Sequence, residues 1–291
     1  MGKIICFQTE RWFNIIFSRE GWASGMRKGG WKLQIGLLLL MGAAVVWESA
    51  TSNAGEKQIS GPALGSGKIF LYTAKRFGLP IFKASIKIEN GSSEQGKPLY
   101  QIRADIESLD YLKFLFRMNN RFVSTVEAET CSPVRYVKEI DQQGLLVERK
   151  SYLQTLTFDH LNKKVVSEKG GKKEKQEFTL SAETFDPLSM FAKYYLKEEL
   201  PPGQTLRTVI FDGVKMRPMV FYSKRGKVKS KMFGEVDAVC LESSTSFSTF
   251  DDREGIIRIW YTTDGKKIPV LIELDLPVGD VIFELESIGE S

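Results

Sequence analysis

The chain contains one histidine, His160, which is the residue type most often used as a general base. Asp159 precedes it, so two interpretations are open: a base oriented by a carboxylate, or a histidine in a surface turn. Residues adjacent along a strand point to opposite faces, which favours the surface turn. One histidine and two distant cysteines also fall short of the ligand set of a typical zinc site. We therefore expect no metal and no cofactor.

Carboxylates are the remaining source of catalytic groups. The sequence has no nucleophile-elbow, P-loop, paired-cysteine or zinc-protease motif. Two Asp or Glu residues brought together from distant strands would be enough to hydrolyse a glycosidic bond. A carboxylate-based hydrolase acting on envelope polysaccharide therefore remains an alternative, while a non-enzymatic role is favoured.

Two cysteines follow the N-terminal region, Cys131 and Cys240. A disulfide between them would close a long loop and stabilise the fold by roughly 4–5 kcal/mol in the chain-entropy model. The other interpretation is two unrelated buried thiols, because free cysteine behaves as a small core hydrophobe. Spacing alone does not choose between them.

Aromatic residues offer a candidate ligand-binding surface. The apolar run 111–118 contains Tyr111, Phe114 and Phe116 and lies between two predicted strands. It is either a buried connecting segment or a lip that contacts lipid at the mouth of a curved sheet. Phe191 and Tyr195, on a predicted helix, complete the candidate set.

The N-terminal region has the organisation of a secretion signal. Basic residues precede the apolar run 33–47, and the small residues Ser52 and Ala54 follow it. The run is shorter than the about 20 residues of a membrane-spanning helix. We predict a leader over 1–54 with its translation start at Met26, and hence a periplasmic protein. An inner-membrane anchor is the alternative.

The rest of the chain has the period-two pattern of β-strands. A flexible lead-in is predicted over 55–67, followed by a single β-rich domain over 68–288. The segment 185–196 is predicted to be a helix, because Asp186 suits its N-cap and Pro187 its first position. About twelve strands and one short helix predict an all-β fold: a large curved antiparallel sheet forming an open or partial barrel.

The net charge of +5 lies partly in the leader, so the domain itself is close to neutral. A nearly neutral domain lacks the field that gathers nucleic acid, and no nucleic-acid partner is expected. We expect a soluble mature domain that contacts membrane only through the leader or peripherally.

Several segments, taken in order, resemble the bacterial family of exported proteins called DUF3108. The matching segments are 69–72, Gly78, the Ala84 strand, Arg121-Phe122, Asp186-Pro187-Leu188-Ser189, 200–204, 234–239, 259–262, 267–270 and 277–279. The resemblance implies an exported all-β domain with a helical insertion, and it implies no reaction. The two cysteines are not part of the family pattern.

These observations favour an exported envelope protein that binds a hydrophobic or lipid-linked ligand, such as a lipid or a lipid-linked glycan, in the hollow of its sheet. A scaffold that binds an envelope protein through exposed sheet edges is a third hypothesis.

Overall fold

The computed structural model describes residues 67–93, 96–145, 147–170, 175–181, 183–247, 252–277 and 279–290. The predicted leader, 1–54, and the predicted lead-in up to residue 66 lie outside the described residues. Within these ranges the chain forms fifteen strands, one α-helix and one short 3₁₀ helix. The predicted fold class, all-β with one short helix, is confirmed.

The helix α1 spans Pro187–Leu196 and the 3₁₀ helix spans Asp110–Leu112. The strands are β1 (Lys68–Arg76), β2 (Leu79–Asn90), β3 (Leu99–Ser108), β4 (Phe116–Glu127), β5 (Pro133–Gly144), β6 (Val147–Asp159), β7 (Lys164–Lys169), β8 (Lys175–Thr179), β9 (Thr184–Phe185), β10 (Thr205–Phe211), β11 (Met216–Ser230), β12 (Gly234–Phe247), β13 (Arg253–Thr262), β14 (Pro269–Asp275) and β15 (Val281–Glu290).

All fifteen strands belong to one sheet, in the order β8-β7-β6-β5-β4-β3-β2-β1-β15-β14-β13-β12-β11-β10-β9. The first and last strands pair in its centre, with Lys68 opposite Glu290. Neighbouring strands are antiparallel, apart from β9 and β10, which run parallel. The two outermost strands, β8 and β9, are therefore close neighbours along the chain.

The strands form because apolar residues recur at every second position. In β2, Ile86 and Ile88 are fully buried, while Lys87 between them and Glu89 after them are partly exposed. One face of each strand thus points into the core and the other towards solvent. The buried side chains of β1–β7 and β9–β15 join in a single hydrophobic cluster with α1.

Helix α1 begins where the sequence predicts. The Asp186 side chain accepts hydrogen bonds from the backbone N–H groups of Leu188 (2.8 Å) and Ser189 (3.0 Å). The Ser189 hydroxyl in turn accepts from the Asp186 N–H at 2.9 Å, which completes a capping box. Ser124 of β4 donates to the second carboxylate oxygen at 2.7 Å and so ties the start of the helix to the sheet.

The sheet curls around α1. The ring of Tyr195 lies 5.4 Å from that of Phe70 in β1, Tyr194 lies 5.7 Å from Phe221 in β11, and Phe191 lies 6.4 Å from Tyr261 in β13. A helix of ten residues touches strands so far apart in the sheet order only if the sheet wraps round it. The hollow of the barrel is thus filled by α1.

The two ends of the curled sheet meet along a line that we call the seam. In the part of the chain that the structure describes, side chains and not a strand ladder join the sheet across it. Lys138 of β5 donates to the Asp212 carbonyl oxygen at 2.7 Å, and Gln154 of β6 donates to that of Gly213 at 2.8 Å. The rings of Phe178 in β8 and Phe211 in β10 lie 4.9 Å apart. The turn between β10 and β11 therefore packs against β5 and β6, which makes the barrel partial.

Candidate functional site

Three connections lie side by side at one end of the barrel: β1–β2, β3–β4 and β5–β6. In an up-and-down sheet, alternate connections share one end. Leu109 N–H donates to the Ile81 carbonyl at 3.3 Å, and the Tyr111 hydroxyl donates to that of Pro80 at 2.5 Å. Leu145 N–H donates to the Leu115 carbonyl at 3.0 Å. These bonds hold the three connections together as one surface.

This surface exposes five large apolar side chains, which we call the apolar rim. Their exposed fractions are 59% for Phe77, 39% for Leu79, 58% for Tyr111, 69% for Phe114 and 67% for Leu145. Single exposed hydrophobic residues are normal on protein surfaces, but a contiguous group marks an interaction site. Of the five, only Tyr111 and Phe114 were among the residues predicted from the sequence.

Phe77 occupies a backbone conformation that is unusual for an aromatic residue. Its φ is +50° and that of Gly78 is +75°, as in a two-residue hairpin turn of type I′. Turns of this type favour Asn, Asp or Gly, and a bulky residue in the left-handed region costs about 1–3 kcal/mol. The Phe77 ring contacts Arg76, whose guanidinium lies 5.1 Å from the ring centroid, yet more than half of the side chain stays exposed.

Charged residues alternate with the apolar ones. Lys113 Nζ lies 2.7 Å from Asp110 Oδ1, and this hydrogen bond lowers the pKa of Asp110 and raises that of Lys113. Arg117 Nη2 lies 3.0 Å from Asp141 Oδ2. The rim thus combines apolar tips with ion pairs whose cationic side chains lie beside them.

Sequence comparison assigns the family. The model of the family described as "Protein of unknown function (DUF3108)" matches residues 70–286. The chain belongs to the DUF3108 family. The resemblance found in the sequence is thereby confirmed.

A solved structure shares the fold of this DUF3108 protein. It is a β-barrel-like protein of the domain of unknown function DUF1849 from Brucella abortus. The identity is 12% and the TM-score 0.52, over 77% of this chain and 97% of the other. Such a likeness supports the barrel-like fold alone. No curated protein matches the sequence.

The other candidate ligand-binding residues of this DUF3108 protein lie elsewhere. Phe116 is half-buried and its ring lies 6.4 Å from that of Phe82. Phe191 and Tyr195 are buried on α1, inside the barrel. The predicted set therefore divides into an exposed pair on the rim, the half-buried Phe116 at the start of β4, and two buried residues of α1.

The two cysteines are free and buried. Burial raises the pKa of Cys131 to about 11 and that of Cys240 to about 12. Charges on Lys197 and Lys193 act on Cys131, whereas Lys224 and Glu242 act on Cys240, so the two thiols have different surroundings. Of the two interpretations offered by the sequence, the structure has the pair of separate thiols and not the disulfide.

His160 lies in an exposed turn. Its Nε2 is 2.8 Å from the Pro133 carbonyl oxygen and its ring stacks on Phe158, with centroids 6.1 Å apart. Asp159 instead accepts from the backbone and side chain of Asn162, at 2.9 and 2.7 Å. The sequence pair Asp159–His160 is therefore divided between two separate hydrogen-bonding roles.

Acids converge at two places. A cavity of ≈ 250 Å³ at the end opposite the rim is lined by Phe233, Val236, Asp237, Thr262, Thr263, Asp264 and Ile268. Both of its acids are exposed, and Asp264 caps its own turn by accepting from Thr262 Oγ1 at 2.6 Å. On the rim side, burial and the neighbouring carboxylate of Asp275 raise the pKa of Asp280.

Among the residues that the structure describes, no three His, Cys, Asp or Glu come together as metal ligands. None of the helices in these ranges is long and apolar enough to cross a bilayer.

Proposed function

We propose that this DUF3108 protein is an exported, non-enzymatic binding protein of the bacterial envelope, and that it binds a hydrophobic or lipid-linked ligand at the apolar rim. The exposed cluster of Phe77, Tyr111, Phe114 and Leu145 is the observation that carries the proposal. The basic, apolar and small-residue segments of 27–54 support export.

The rim suits such a ligand better than the hollow of the sheet does. The hollow is occupied by α1, whose Phe191 and Ala192 are fully buried, so a ligand there would have to displace a packed helix. The rim needs no rearrangement, because its side chains already face solvent. Covering each exposed Phe or Leu would release about 1–2 kcal/mol.

Two other hypotheses receive less support. A hydrolase needs two acids facing one cleft. The two acids of the described cavity are exposed, with Asp264 engaged in its own turn, and in the second pair Asp280 is exposed beside Asp275. A scaffold would use the outer edge of β8, yet that strand carries Lys175 and Glu177, which are exposed. Charged side chains on an edge strand are a means of preventing strand pairing.

The test is ligand capture by the exported protein. Native mass spectrometry of protein purified from membranes should show bound lipid, and a fluorescent fatty acid should be taken up in solution. The double variant Phe77→Ser/Phe114→Ser should lose most of this uptake. Leu161→Ser is the matched control, because Leu161 is 95% exposed in the β6–β7 turn at the opposite end. A clean apo mass together with equal uptake by both variants would refute the proposal.

A further inference from the structure

We infer that the apolar rim inserts into the surface of a phospholipid bilayer, so that the protein is a peripheral membrane protein oriented with its β1–β6 end towards the lipid. The inference rests on the proposed function, since it names the bilayer itself as the hydrophobic ligand.

The shape of the rim fits a bilayer better than a single captured lipid. Its side chains stand on three separate connections, and the cavity described above lies at the other end of the barrel. A site for one acyl chain encloses most of its ligand in a concave pocket. Convex apolar tips are instead suited to entering the boundary between headgroups and acyl chains.

The area of the rim also argues against a protein partner. Aromatic side chains bury about 150–250 Å² each when fully covered and leucine somewhat less, so the exposed fractions of the three aromatic residues and two leucines together amount to roughly 500 Å². A standard protein–protein interface covers about 800 Å² on each partner and requires complementary shape. A bilayer adapts to the surface it meets, so a smaller convex patch is sufficient.

The cations beside the rim have the position that a headgroup layer requires. Lys113 directly precedes Phe114, Arg117 is the second residue of β4, and Lys83 is exposed near Asp110. Lys113 and Arg117 also pair with Asp110 and Asp141, so they face the lipid as members of ion pairs. Long basic side chains can lay their methylene stems along apolar surface and place the charge at the level of the phosphates. Each such residue near an anionic surface attracts it, and salt screens this attraction.

Co-sedimentation with protein-free vesicles tests the inference. Vesicles of phosphatidylcholine with one-fifth phosphatidylglycerol are mixed with the exported wild-type protein and its variants. All of these proteins have the same N-terminal region, so any membrane binding by that region is equal among them. We expect Phe77→Ser and Phe114→Ser each to weaken partitioning about tenfold, and the double variant about a hundredfold. Leu161→Ser should stay within about twofold of wild type. Circular dichroism and the unfolding midpoint check that every variant is folded.

The outcomes separate the inference from the proposed function. Equal vesicle binding by the wild type and the folded double variant overturns the inference. So does a wild type that binds native membranes but not protein-free vesicles, which would indicate a protein partner. If vesicles are not bound but the soluble fatty acid is taken up in a rim-dependent manner, the proposed function stands and the inference falls. If neither probe depends on the rim, both fall.

Discussion

Replacing Lys138 by methionine should change how the stability of this protein depends on pH. Lys138 lies on the inner face of β5 with 1% of its surface exposed, and its ammonium donates to the Asp212 carbonyl at the seam of the barrel. Burial lowers its pKa from 10.5 to about 8, against the opposing effect of Asp212. Methionine has a similar length and no charge.

The size of the change in the free energy of unfolding follows from how far the pKa of Lys138 is lowered. A difference of about 2.5 pKa units corresponds to about 3 kcal/mol. Below pH 8 the lysine is protonated in both the folded and unfolded states. Between about pH 8 and 10.5 the folded lysine loses its proton while the unfolded one keeps it. The unfolded state then binds more protons, so the free energy of unfolding rises with pH.

Urea unfolding of both proteins at several pH values from 7 to 10.5 measures this. The free energy of unfolding of wild type minus that of Lys138→Met should rise by up to about 3 kcal/mol across the window. The thiols of Cys131 and Cys240 also titrate above their usual range, but they are present in both proteins and cancel in the difference. A difference that stays flat with pH would show that burial does not lower the pKa of Lys138.

Two further predictions concern the buried groups. Without reductant, Cys131 and Cys240 should resist alkylation in the folded protein and should both be alkylated once it is unfolded, as read by peptide mass spectrometry; a linked peptide pair would contradict this. Asp186→Ala should lower the free energy of unfolding by about 2–4 kcal/mol, because α1 loses its cap and Ser124 loses its buried partner. Asp186→Asn should retain most of the stability. Equal urea midpoints for the two variants would contradict the capping role.

Local patterns predicted the elements better than their arrangement. The alternation in β2 and β3 and the Asp186-Pro187 helix start could be predicted, because period-two burial and N-capping depend on neighbouring residues. The short strand β9 could not, because its two residues carry no periodicity of their own.

The candidate site shows the same limit. Tyr111 and Phe114 stand out because they belong to an apolar run, but Phe77 and Leu145 lie in other, distant segments of the chain. They meet the others only because alternate hairpin connections share one end of the barrel. Phe191 and Tyr195 were assigned to a ligand surface although α1 is apolar on nearly all sides, from Leu188 to Tyr195. A helix that is apolar all round is buried, and this signal pointed to the core.

The topology also explains why polar side chains lie in the core. Because β1 and β15 pair in the middle of the sheet, its two ends fall in the middle of the chain, where the β10–β11 turn packs against β5 and β6. That turn brings the carbonyl groups of Asp212 and Gly213 into the interior, where an unpaired carbonyl is costly. Lys138 and Gln154 supply the missing donors from inward-facing positions that would otherwise be apolar. A break in the hydrophobic alternation of a strand can therefore mark the seam at which a curved sheet is closed by side chains.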